Sequence, residues 1–155
     1  MTERKLAFED LHEDRTFPLG PKLVTSEEVV EFASEFDPQP MHLDADAGRA
    51  SILGGLAASG WHSCAMLMRM MIDSYLLHSQ SEGSPGIDTM EWKKPVLAGD
   101  VLQGRSTVIE ARPLRSRPGI GLVRFRHELF NQREELVCLA ENPIMFRIAG
   151  YKEGC

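Results

Sequence analysis

Glu35-Phe36-Asp37-Pro38-Gln39-Pro40-Met41-His42-Leu43-Asp44 is the stretch whose reading decides the fold and the chemistry of this chain. Pro38 and Pro40 fix φ near about −65° and have no backbone N–H to give. Asp37 and Gln39, which precede them, are pushed out of the helical region. The segment therefore reads as a rigid bend, neither helix nor central strand. It holds a carboxylate, Asp37, and an imidazole, His42, in fixed relation. Two readings stand open on the bend alone. The pair shares proton-transfer work, or Asp37 caps local backbone while His42 fills a polar gap.

The flanks give the bend its setting. Upstream, Thr25 with Glu28 three residues later fits a capping box. Val29, Phe32, Ala33 and Phe36 then recur as one apolar helical face, so a helix is expected over about 26–36, stopped by Pro38 and ending on Asp37. Before it, Arg15 to Leu19 fits a short strand ended by Gly20-Pro21, and residues 1–15 read as an irregular lead-in. Downstream, Asp44 fits the N-cap of a short helix to Ala50. A run of glycines and small residues, 51–60, leads into a long apolar helix over about 59–77. Trp61, Cys64, Ala65, Met68, Met71, Ile72, Tyr75 and Leu76 cover one broad side of it. With Met66, Leu67 and Met70 it is apolar nearly all round, which predicts burial. After a polar loop at 78–86 the pattern turns to strands: 87–92, 101–112, 122–130 and 136–148. A sheet following one buried helix must curl around it.

Composition narrows the classes. The 155 residues, 43% apolar and 26% charged, suit one soluble domain. A formal net charge of −6 argues against nucleic acid as a partner. The N-terminus lacks the apolar core of a signal peptide. Arg69 and Asp73 interrupt the longest apolar run, so no membrane span is expected. Three cysteines, Cys64, Cys138 and Cys155, lack framework spacing and read as free thiols of a reducing compartment, which points to the cytoplasm.

Asp37-Pro38-Gln39-Pro40-Met41-His42-Leu43-Asp44, Gly55-Leu56-Ala57-Ala58-Ser59-Gly60-Trp61 and Trp92-Lys93-Lys94-Pro95-Val96 with Gly99-Asp100 together resemble the MaoC-like dehydratase family, relatives of the (R)-specific enoyl-CoA hydratases. The family motif Asp-x-Asn-Pro-x-His-x-Asp is matched at Asp37, Pro40, His42 and Asp44. The chain departs from it at Gln39, where Asn is usual. It departs again at Ser59-Gly60-Trp61, where His-Gly-Met is common. The resemblance implies an α+β hotdog fold, an antiparallel sheet wrapped around one long central helix, as a single domain over 1–155 with its core at about 16–148. It implies a hydro-lyase that adds water to an enoyl thioester or removes it from the (R)-3-hydroxy form. No cofactor is implied beyond the coenzyme A of the substrate. A homodimer, or a higher oligomer built from dimers, follows from the same resemblance.

Hydration needs a base toward water at C3, a proton for C2 and a stabiliser for the enolate-like oxygen. The resemblance assigns the base to His42 and the C2 proton to Asp37. It assigns the oxyanion site to Gly60, where a helix start offers free N–H groups and a favourable dipole. Gln39, Ser63, Trp61, Arg115 and Arg117 are the candidates on the substrate side. Gln39 is read mainly as closing the bend, Ser63 as a supporting hydroxyl, and the two arginines as a phosphate handle on a Pro/Gly-bounded loop. Lys93, Lys94 and Arg112 add local positive charge. His62 with His42 and Asp44 is too mixed a set to argue for a metal. Two alternatives remain. One is a hotdog thioesterase, although the central helix carries only one acid, Asp73, more than three turns past Gly60. The other is a binding protein that kept the fold and lost turnover.

Overall fold

A computed structural model describes residues 3–154. Five strands form one antiparallel sheet: β1 (Thr16–Leu23), β2 (Thr89–Trp92), β3 (Val101–Pro113), β4 (Ile120–Phe130) and β5 (Leu136–Arg147). Their spatial order is β1-β3-β4-β5-β2. The helices are α1 (Ser26–Phe36), α2 (Pro40–Leu43), α3 (Ala45–Ala50) and α4 (Gly60–Ser74). The sheet wraps α4, which is the hotdog arrangement expected from the sequence.

β4 shows why the sheet covers the helix. Its residues alternate, with Val123, Phe125, His127 and Leu129 buried on the core face. The intervening Arg124 pairs with Asp88, and Arg126 with Glu141, on the outer face. An antiparallel sheet with one covered and one wet face has this pattern. Met66, Leu67, Met70 and Met71 of α4 meet that core face. Past the helix, the Tyr75 ring stacks between Phe17, 4.4 Å away, and Phe125, 5.5 Å away.

Four expectations change. The strand at Thr16 does not stop at Gly20-Pro21. It shifts register between Leu19 and Lys22 and runs on to Leu23. Gly20 takes φ +80°, and Pro21 is tolerated because β1 is an edge strand with no second neighbour to serve. The lead-in is partly core: Ala7 and Leu11 are fully buried around a 3-10 turn at Phe8–Asp10. The long helix ends at Ser74, with a 3-10 turn at Leu76–His78 completing the apolar run. It is not buried all round either. Part of its apolar circumference faces solvent, with Trp61 63% and Met68 46% exposed. The helix meets the core on one side only, and positions 61, 65 and 68 are exposed. Cys64 and Cys138 are unbridged, and Cys155 lies outside the described residues. No helix among the described residues is long and apolar enough to cross a membrane.

Candidate active site

The bend holds a short helix that its prolines seemed to forbid. Pro40 occupies the first position of α2, where a missing N–H costs nothing. His42 therefore sits one turn into a helix rather than on an extended loop. Asp37 is the C-cap of α1, its N–H bonded to the Ala33 carbonyl at 2.9 Å. Thr25 caps the other end of α1, accepting from Glu28 N–H at 3.2 Å. Asp44 caps α3 through Ala47 N–H at 2.9 Å, as expected.

The bend is tied to the segment before α4. Ala57 N–H bonds Met41 O, and the next residue, Ala58, bonds Val96 O at 2.8 Å. These bonds aim the Ala57 carbonyl at His42, whose Nδ1 lies 2.7 Å from that oxygen. A carbonyl only accepts, so Nδ1 carries the proton. The neutral ring then presents its lone pair at Nε2. Nε2 faces Asp37 Oδ2 at 3.4 Å, with His42 buried and Asp37 half-buried.

Asp37 is held as an anion. Gln39 Nε2 donates to Oδ1 at 2.7 Å and Ser59 Oγ donates to Oδ2 at 2.7 Å. These two hydrogen bonds, Gln39 first, with the nearby His42 adding to them, hold its carboxyl below the usual carboxylate range against the opposing effect of burial. Two facing acceptors, an imidazole lone pair and a carboxylate, are stable together only with a proton or a water between them. The pair is thus a receptor for one proton.

A cavity of about 220 Å³ opens beside His42, lined among others by Ala57, Gly60, Ser63, Trp92 and Val96. Gly60 is the first residue of α4, after the N-cap Ser59. The first backbone N–H groups of a helix have no partner within it, and Gly60 brings them to this cavity. The close approach that Gly60 permits is by Trp92: a Cβ there would lie 2.6 Å from Cε2 of the indole. Ser63 is buried in the same wall.

Other candidates fall elsewhere. Trp61 is exposed and meets Trp92 edge to face at 5.8 Å; it is Trp92 that lines the cavity. Arg115 and Arg117 sit in the loop between β3 and β4, and Arg117 lines a separate groove with Gln80 and Tyr151. That loop follows the end of the 13-residue β3, whereas Trp92 of the cavity lies across the sheet in register with Gly104 near the start of that strand, about 30 Å away along it. Lys93 and Lys94 are the cations at the cavity, paired with Glu91 and Glu135. His62 turns to α1, stacked on Phe32 at 4.7 Å and 3.7 Å from Glu28. Among the described residues no group of three or more His, Cys, Asp or Glu could hold a metal. Sequence reasoning missed Ser59 and Trp92. Ser59 was visible as the hydroxyl beside Gly60 at the end of the small-residue run. Trp92 was visible only as a strand residue, since its contact with Gly60 joins positions far apart in the chain.

Comparison with known proteins adds four findings. The family model described as MaoC like domain matches residues 11–124. The crystal structure of a MaoC-like dehydratase from Rhodospirillum rubrum is 39% identical, over 92% of this chain and 98% of that one, with a TM-score of 0.84. The unliganded R-hydratase PhaJ1 from Pseudomonas aeruginosa, 23% identical over 92% of this chain and 86% of its own, superposes with a TM-score of 0.75. Among curated sequences, the uncharacterized protein YdeM of Bacillus subtilis is 27% identical over 124 residues, 80% of this chain and 86% of its own.

Proposed function

The chain belongs to the MaoC-like domain family, and on that premise we propose that it is a hydro-lyase on acyl thioesters, interconverting an enoyl-CoA and its (R)-3-hydroxyacyl-CoA. The observation that carries this reading is His42, buried with Nδ1 committed to a carbonyl and Nε2 left open toward an anionic Asp37. In the hydration direction a water bound between the two adds its oxygen to C3 of the enoyl ester. Its proton passes to Nε2, and the imidazolium is stabilised by Asp37. Electron density moves through C2 onto the thioester oxygen, which the free N–H at the start of α4 stabilises. The enolate then collapses, and C2 takes one proton from the Asp37–His42 pair. The water supplies both the hydroxyl at C3 and the hydrogen at C2, so the pair ends as it began. An ionised Asp37 therefore fits as the relay for a proton that His42 has just taken. It fits less well as an acid protonated at rest.

A thioesterase reading loses support because Asp73, the acid on α4, is exposed and paired with Arg69 at 3.2 Å. On the coenzyme A side, Lys93 and Lys94 at the cavity are the phosphate partners that one chain can offer. Arg115 and Arg117 would act there only from a second copy. Such a copy fits the free edge of β2, beside which Trp61 and Met68 are exposed. Pairing edge to edge would bury both in a homodimer, to be read as a dimer mass in solution that Met68→Glu lowers.

The test of the activity is to supply trans-2-butenoyl-CoA and follow the conjugated absorbance together with free thiol. Loss of absorbance without thiol is the expected result. Thiol release would mark a thioesterase, and binding without either change would mark a carrier.

A further inference from the structure

Two of the cavities that border α4 lie along one stripe of it. Gly60 and Ser63 line the 220 Å³ cavity at the helix start. Cys64, Leu67, Met68 and Met71 line a second space of about 60 Å³, closed on the strand side by Met90 and Ala140 among others. Positions 60, 64, 67, 68 and 71 follow one another at helical spacing on a single face. One side chain, Trp92, lines the front space over Gly60, and the residue one turn on from Gly60, Cys64, lines the rear one. The Trp92 indole lies flush on Gly60 and is braced edge to face by Trp61. Met90, two residues earlier on β2 and so on the same face, already belongs to the rear space, where its sulfur meets Cys138 Sγ at 3.6 Å.

We infer that Trp92 is the partition that sets acyl length, so that the site takes thioesters of short acyl chains, about four or five carbons, and shuts longer ones out of an apolar compartment built just behind it. The inference rests on the hydration reading above. At about 30 Å³ for each water-sized atom, the front cavity of 220 Å³ holds roughly seven. A four-carbon enoyl thioester head has four carbons, an oxygen and a sulfur, and the attacking water fills the remaining place. A longer tail would have to follow the α4 stripe. From Gly60 to Leu67 the helix advances about 10 Å. An extended chain covers about 3.5 Å in three bonds, so a tail of about eight carbons reaches the rear space, and it meets the Trp92 ring on the way. The rear lining suits such a tail, because thioether and thiol side chains adapt to irregular apolar shapes. His127, which also borders this space, has both ring nitrogens engaged, by Ser106 and Asn142, and adds no open polar group.

The experiment compares trans-2-butenoyl-CoA with trans-2-octenoyl-CoA on the full chain, with wild type, Trp92→Ala and Trp92→Phe. Wild type should favour the four-carbon ester in kcat/KM by at least about tenfold, the scale on which a closed apolar pocket discriminates. Trp92→Ala should cut that ratio by at least about tenfold, through a gain on the eight-carbon ester, while Trp92→Phe keeps the wild-type order. Equal kcat/KM for both esters in wild type, or an unchanged ratio in Trp92→Ala, would overturn the inference. The second measurement needs neither turnover nor a variant: affinities of wild type for the saturated butanoyl- and octanoyl-CoA, by calorimetry. Tighter butanoyl-CoA supports the partition, and equal or reversed affinities reject it. If no enoyl ester is hydrated but butanoyl-CoA binds more tightly, the hydration reading fails and the partition stands.

Discussion

His42 and His127 are both buried, both in contact with named partners at each ring nitrogen, and only His42 faces, at both nitrogens, acceptors with no proton to give. His127 sits in a closed chain of donors. Tyr75 donates its hydroxyl to Ser106 Oγ at 3.0 Å, and Ser106 lies 2.8 Å from His127 Nδ1. Nε2 lies 2.7 Å from Asn142 Oδ1, an acceptor, so Nε2–H donates and Nδ1 receives the serine proton. Both nitrogens are spent within the protein. At His42 a carbonyl takes Nδ1–H, and what faces Nε2 is a carboxylate that has nothing to donate. Burial and polarity do not separate the two rings. The identity of the atom opposite the second nitrogen does.

The sharpest way to break this contrast is at His42. His42→Ala and Asp37→Asn should each lower kcat for a four-carbon enoyl-CoA by at least about a hundredfold, the scale of a lost acid–base group. Near-normal rates in both variants would make His42 a structural histidine like His127. The counterpart is His127→Leu. It strands the Ser106 hydroxyl and the Asn142 carbonyl in the core, and its loss should be read in stability, at about 2 kcal/mol, by urea unfolding. An unchanged midpoint would mean that the network is not holding the sheet.

Much of this was legible in the residues. Capping signals placed α1 and α3 correctly because a cap is local: the acceptor and the N–H it serves lie within one turn. The strands were legible from alternation, and the Asp37–His42 pair from two prolines and a spacing. Which side of α4 faces solvent was not. An apolar helix offers no polar face to show which side meets the sheet, so burial was expected nearly all round, and Trp61 lies outside. Nor was the contact of Trp92 with Gly60, or the carbonyl of Ala57 on His42, since side chains do not encode which backbone atom a distant segment will present. Arg115 and Arg117 met every local criterion for a phosphate loop. Only the length of β3 separates them from the cavity.

Ser59 sharpens the comparison at a smaller scale. Its hydroxyl and the Gln39 amide keep Asp37 anionic, whereas no carboxylate is bonded to His127. Ser59→Ala removes one of those donors, so the carboxyl becomes easier to protonate. The Asp37 carboxyl should then titrate at higher pH than in the wild type, read by carboxyl NMR. A carboxyl that titrates at the same pH in both would show that Ser59 only packs against the bend.

The smallest effect concerns a third buried ring. Burial holds His62 below the ordinary histidine range, with Lys22 pushing the same way and Glu28 opposing. A histidine depressed in the folded state costs stability once the unfolded chain begins to take up protons, that is, as pH falls below about 6.5. His127 is depressed likewise by burial, against the Asn142 hydrogen bond. Asp37 has the opposite charge type, and its depressed carboxyl stabilises the fold above its unfolded range near pH 4, being lost only below that. Between pH 7 and pH 5 the fall in stability therefore reports the buried rings. His62→Phe keeps a ring against Phe32, removes the protonation, and should flatten the fall in urea-unfolding free energy across that window without abolishing it, because His127 remains. An identical slope in wild type and variant would mean that His62 binds its proton equally in both states, and that the Glu28 carboxylate 3.7 Å away offsets its burial.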